Sequence, residues 1–102
     1  MSATDRVAAA RALQPALRER AREASERRRL SDATMADLKA AGLFRVLQPA
    51  RFGGDEAHPR TFFEVQMALA EACPSTAWVY GVVGVHAWQL ALFDPRAADE
   101  II

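Results

Sequence analysis

Between Ala77 and Phe93 the chain is apolar at almost every position, and only His86 and Gln89 interrupt the run. The stretch falls short of the roughly 20 residues that a bilayer-crossing helix needs. It therefore predicts a soluble-type helix from Thr76 to about Leu92, with Ser75 as its N-cap. Because this helix is apolar nearly all the way round, which a surface helix cannot be, it is expected to be the most buried element of the fold.

The rest of the chain repeats the helical pattern and offers no strand of useful length. Leu13, Leu17, Ala21 and Ala24 recur at spacings of three and four in an Ala/Arg/Glu-rich segment, which predicts one amphipathic helix with Glu23 placed four residues before Arg27. Ser31 then announces a second helix as N-cap, Asp32 sits in its first turn, and Gly42 stops it. From Leu43 to His58 the residues Pro49, Gly53 and Gly54 mark a loop. Leu43, Phe44, Val46, Leu47 and Phe52 require cover there, so the loop is expected to be packed. Pro59 starts a third helix that ends before Pro74; Phe62 with Leu69, and Phe63 with Met67 and Ala70, fall on adjacent faces, so it too should be largely buried. Asp94-Pro95 opens a fifth apolar stripe through Ala97, Ala98, Ile101 and Ile102. That stripe meets the end of the chain uncapped, and the expectation is the N-terminal part of a longer protein. The predicted fold class is all-α, four helices and the start of a fifth.

Composition narrows the function classes. Of 102 residues, thirteen are Lys or Arg and thirteen Asp or Glu, a formal net charge of zero, with none of the positive excess that nucleic acid or an anionic membrane surface attracts. The charges are nonetheless segregated: residues 1–30 hold eight arginines against Asp5, Glu19, Glu23 and Glu26, a surplus of four that the remainder balances. The run Arg27-Arg28-Arg29 suits a helix C-terminus. Cys73 is the only cysteine, so there is no disulfide framework and no cysteine-based metal site, and no apolar leader occupies the first 30 residues. A cytoplasmic protein without membrane or nucleic-acid partners is expected.

Few residues point to chemistry. There is no phosphate-cradling glycine loop, no metal-binding HExxH and no nucleophile elbow. Gly81-Val82-Val83-Gly84 allows another helix, or a flat ligand, to approach bare backbone, and spacing favours the helix. Trp78, Val82 and His86 stand at i, i+4 and i+8 and share one face of the apolar helix, with Gln89 near by. An imidazole beside an aromatic wall can orient or deprotonate a phenol, although a histidine on an apolar helix is more often a packed core residue. His58 reads as a turn residue and Cys73 as a small buried hydrophobe.

Four segments together resemble a known family. They are Leu43 to Gly54 (LFRVLQPARFGG), Pro59 to Glu64 (PRTFFE), Ser75 to Val79 (STAWV) and Val83 to Phe93 (VGVHAWQLALF). From about Leu13 to the end the chain is similar to the N-terminal helical domain of the oxygenase component of two-component flavin-dependent aromatic hydroxylases, within the acyl-CoA dehydrogenase fold superfamily. The loop alone carries the superfamily; ST-x-W followed by VGVH-x-W-x-LALF carries the hydroxylase branch. The resemblance implies that residues 1–102 are an acyl-CoA dehydrogenase-like helical domain, with the middle β-domain and C-terminal bundle lying outside this sequence. It implies reduced flavin, FMN or FAD, delivered by a separate reductase; O₂ activated on that flavin; an aromatic substrate hydroxylated beside a phenol oxygen; and a homo-tetramer. It places Trp78 and Val82 in the substrate pocket and makes His86 both a substrate-binding residue and the catalytic polar partner. At the next position relatives often carry Asn, and this chain has Ala87. The chain by itself is not expected to hold flavin firmly or to hydroxylate.

Other readings share these residues. An acyl-CoA dehydrogenase has the same early loop but oxidises a thioester and needs no imidazole opposite an indole. A sulfur- or nitrogen-oxidising flavin monooxygenase of the same fold differs only in substrate. A helical interaction module without catalysis would be expected to cover its apolar face.

Overall fold

The computed structural model describes residues 3–27, 29–90 and 96. Five helices lie among the described residues: α1 (Ala3–Ala12), α2 (Gln14–Arg27), α3 (Asp32–Ala40), α4 (Pro59–Ala72) and α5 (Pro74–Leu90), with two single 3-10 turns at Leu43–Arg45 and Ala50–Phe52. Among the described residues there is no strand, and no helix is long and apolar enough to cross a membrane. The expected helix after Asp94-Pro95 lies outside the described residues.

Where a single first helix was expected, there are two. Pro15 has no N–H to return to the carbonyl four residues back, and its ring crowds that carbonyl. The chain tightens instead: the Leu13 N–H donates to the Ala10 carbonyl at 3.2 Å, and α2 resumes with the Leu17 N–H on the Leu13 carbonyl at 3.0 Å. The break lets Ala10 on α1 and Leu17 on α2 both reach the core.

The α3 boundaries follow local chemistry. Ser31 Oγ accepts from the Thr34 N–H at 3.2 Å, and Gly42 closes the helix at φ +72°. At the start of α4 the His58 ring accepts the Arg60 N–H through Nδ1 at 3.0 Å, with Pro59 in the first turn, so His58 caps a helix. The start of α5 is earlier than expected. Pro74 occupies the first turn and the Ala77 N–H reaches the Cys73 carbonyl at 3.1 Å, so Cys73 is the residue at the junction and Ser75 lies inside the helix. Cys73 itself is buried.

The hub of the packing is α4, which lies against α1, α2 and α5. It buries Phe62, Val65, Ala68, Leu69 and Ala72 into a core shared with Leu17, Leu38, Leu43, Val46 and Tyr80. Phe63, Met67 and Ala70, expected inside, face outward on the neighbouring stripe. A parallel correction applies to α5. It is not the most buried helix: Thr76, Ala77, Tyr80, Gly81 and Gly84 are covered, while Trp78, Val83, Val85, His86 and Trp88 are exposed. An all-round apolar helix requires cover on all sides, and the described residues provide it on one side only.

The loop between α3 and α4 is packed, as its apolar content required. Leu43, Val46 and Leu47 are buried, and three backbone bonds fold residues 55–57 back on residues 45–48: Asp55 N–H to Arg45 carbonyl, Glu56 N–H to Gln48 carbonyl and Ala57 N–H to Val46 carbonyl, each 2.9 Å. Phe52 is half-buried under the Arg51 guanidinium, 4.1 Å from its ring centre.

Candidate functional site

The register of α4 on α5 fixes what the outer face displays. A Cβ on Gly84 would collide with the ring of Phe62, and one on Gly81 with the amide of Gln66, so both glycines are sites of direct helix contact. Gln66 uses that closeness to donate to the Ala77 carbonyl at 3.2 Å. Helix packing is thus the meaning of the GxxG pattern. Phe62 in turn stacks on Tyr80 with ring centres 5.0 Å apart, and the Tyr80 hydroxyl donates to the Leu43 carbonyl at 2.9 Å. Burial pushes the Tyr80 hydroxyl far above its ordinary titration range, which keeps it a neutral donor.

On the other side of this contact, Trp78, Val82 and His86 line one open cleft of about 510 Å³ together with Phe62, Phe63, Gln66, Gly81 and Val85. The structure therefore brings the three candidate residues onto one surface. It does not bury them: His86 is exposed, and the Trp78 indole is 68% exposed. Eight residues along a helix advance by about 12 Å, so indole and imidazole stand at opposite ends of the cleft rather than in contact. Phe63 and Gln66 were missed as part of this surface. Their signal was present in the spacing of Phe63, Met67 and Ala70, which marks a stripe of α4 but does not say which stripe faces inward.

Chemically the cleft offers apolar walls, one carboxamide and one imidazole, and neither lysine nor arginine is among the described residues that line it. Such a surface can hold a flat apolar ring and direct one hydrogen bond at its edge. A second cleft, of about 480 Å³, lies on the far side of Trp78 between α2 and α5, lined by Ala24, Ser25, Arg29, Leu30, Ser75, Val79, Val82 and Val83. No group of His, Cys, Asp and Glu suited to a metal ion occurs among the described residues.

Comparison with known proteins points to one family. Over 90 residues, 88% of this chain and 24% of the relative, the sequence is 46% identical to the flavin-dependent monooxygenase oxygenase subunit HsaA of Rhodococcus jostii. It is 51% identical over 79 residues to a pigment production hydroxylase of Rhodococcus erythropolis, covering 20% of that protein. The crystal structure of the HsaA monooxygenase from M. tuberculosis superposes on 99% of this chain and 28% of its own with a TM-score of 0.95 at 44% identity. The chain thus spans about a quarter of the length of the relatives it matches. The acyl-CoA dehydrogenase N-terminal domain model matches residues 4–94, which takes in all five helices almost end to end, and to that family this chain belongs.

Proposed function

We propose that this chain is the N-terminal helical domain of the oxygenase component of a two-component flavin-dependent aromatic monooxygenase. In this reading residues 1–102 supply one wall of a substrate pocket that a β-domain and a C-terminal helical bundle complete, in a cytoplasmic homo-tetramer fed by a separate flavin reductase. The observation that carries the reading is the superposition on an HsaA monooxygenase over 99% of the chain at 44% identity, with the Trp78–Val82–His86 cleft on the open side of α5.

The residues of the cleft fit a flat aromatic ring. They do not fit the phosphate of a flavin, for which they offer no cation and no backbone cradle. Reduced flavin and O₂ supply the transferred oxygen; the residues described here bind and orient. Trp78 provides a planar apolar wall and Val82 the floor between the two ends of the cleft. His86 presents a ring nitrogen to accept the hydrogen bond of a phenolic hydroxyl, which raises electron density on the ring carbon to be hydroxylated.

The test is a chimaera in which this chain replaces the matching segment of the R. jostii relative. Supplied with reduced flavin and O₂, it is expected to consume oxygen and release a hydroxylated phenol. A well-folded tetrameric chimaera that oxidises an acyl-CoA thioester and leaves phenols untouched would overturn the proposal in favour of an acyl-CoA dehydrogenase.

A further inference from the structure

The cleft between α4 and α5 holds one polar side chain besides His86. Gln66 reaches across from α4, and its amide donates to the Ala77 carbonyl at 3.2 Å. A carbonyl only accepts, so the amide nitrogen is the end turned to α5. The oxygen is the outer end, 3.7 Å from the place a Cβ on Gly81 would take. Among the described residues no donor bonds to this Oε1, and no side-chain nitrogen or oxygen sealed from solvent lacks a partner. The oxygen is therefore accessible from the cleft that Gln66 lines. With its nitrogen seated over the bare backbone of Gly81, the amide holds this acceptor in place before any ligand arrives.

The remaining side chains of the wall are apolar: Phe62, Phe63, Trp78, Val82 and Val85. A carbonyl oxygen in such a wall is harmless while water reaches it, and destabilising once the cleft is covered unless a donor meets it. Gly81 precedes His86 by five residues, about 7.5 Å of helix axis. Side chains lean towards the N-terminus of their helix, so the imidazole reaches back towards the level of Gln66. The two polar groups thus bracket a length close to that of a para-substituted benzene ring. We infer that Gln66 is a specificity-determining residue of this cleft, whose Oε1 accepts a hydrogen bond from an uncharged donor that the substrate carries across the ring from the phenolic oxygen held by His86. The substrate class is a phenol with a hydroxyl or amide N–H on its para side arm. A carboxylate there would set its charge against the amide oxygen, and a plain alkyl arm would leave that oxygen unpaired. The inference rests on the proposed function, which supplies both the phenol and the cover over the cleft.

The experiment compares two phenols of matching shape, para-hydroxybenzyl alcohol and para-ethylphenol, on the chimaera described above. Binding is measured by calorimetry without flavin, kcat/KM with reduced flavin and O₂, and circular dichroism is recorded on every variant. The parent chimaera should favour the alcohol. Gln66→Met, of similar size, should shift the ratio of the two kcat/KM values by about ten-fold towards the ethyl compound, a change in selectivity that mere loosening of the α4–α5 contact would not produce. Gln66→Glu should instead raise kcat/KM several-fold for para-hydroxybenzylamine, whose ammonium group meets the new carboxylate. If the methionine variant loses helicity, the parent ratio and the glutamate variant decide. A parent that favours para-ethylphenol, or a ratio unmoved by the substitutions, would overturn the inference and leave phenol hydroxylation standing. A parent that neither binds nor hydroxylates either phenol would overturn the proposed function and this inference with it.

Discussion

Arg6 and Asp55 form a two-pronged ion pair across 49 residues: Nε and Nη2 of the guanidinium donate to the two carboxylate oxygens at 2.6 and 2.9 Å, and Nη1 donates to the Ala41 carbonyl at 2.6 Å. Both side chains are about nine-tenths buried. The Asp55 hydrogen bond raises the affinity of the guanidinium for its proton, against the opposing effect of burial. The pair ties α1 to both ends of the α3–α4 loop, and the guanidinium occupies the space that a Cβ on Gly42 would need.

Breaking that pair from one side leaves a buried charge without its counterpart. Arg6→Ala and Asp55→Asn are each expected to cost about 3–5 kcal/mol. Replacing both by apolar residues of similar size should cost much less than the sum. Urea denaturation of the two single variants and the double variant measures this, and additive losses would contradict it.

Gly84 and Gly81 should respond differently to alanine. At Gly84 the new methyl meets the Phe62 ring, which is held between Tyr80 and Phe63, so destabilisation on the order of 1–3 kcal/mol is expected. At Gly81 it meets the end of the flexible Gln66 side chain, which can swing away at the loss of one hydrogen bond, and the gain in helix propensity of about 1 kcal/mol offsets that loss. Thermal melts of the two variants should separate them clearly.

Tyr80 gives the fold an alkaline limit. Its folded-state pKa lies above the ordinary 10.0 because burial disfavours the phenolate. The associated stability is fully present below pH 10 and is lost as pH rises from there toward the folded-state value. Tyr80→Phe should remove this alkaline slope and, at neutral pH, cost about 1 kcal/mol for the lost bond to the Leu43 carbonyl. An unchanged slope above pH 10 in the phenylalanine variant would assign it to another group.

His86 should matter to chemistry and not to folding. Being exposed, it is expected to change the stability of this chain by less than about 0.5 kcal/mol when replaced by alanine. In the chimaeric oxygenase the same change should reduce hydroxylation on the order of 10²-fold. Equal product yield with and without the imidazole would leave His86 as a surface residue of α5.

What was legible in the sequence was whatever depends on neighbours in the chain. Ser31 and Gly42 bound α3 through bonds that reach two or three residues, and Pro59 marks α4 because its fixed φ suits a first turn. Pro15 carried the same kind of signal for the α1–α2 break, but the Leu13–Leu17–Ala21 spacing runs straight through it and reads as one helix. Burial was less legible. Periodicity grouped Phe63 with Met67 and Trp78 with Val82 and His86 correctly, but an apolar stripe looks the same whether it faces a core or a cleft. The Arg6–Asp55 pair left no trace, since two charged residues 49 positions apart have no spacing to recognise until the fold brings them together.

The flush contact at Gly81 and Gly84 has a mechanical consequence. With Phe62 and Gln66 seated directly on its backbone, α5 can neither rotate about its axis nor slide by a residue without prising α4 away. The two helices consequently behave as one stiff plate, stapled to the loop at Tyr80, whose outer surface is the cleft. Anything that presses on Trp78 or His86 meets the resistance of the whole plate, so adaptation to a bulkier occupant has to come from the long side chains of Phe63, Met67 and Trp78 or from a tilt of the entire pair.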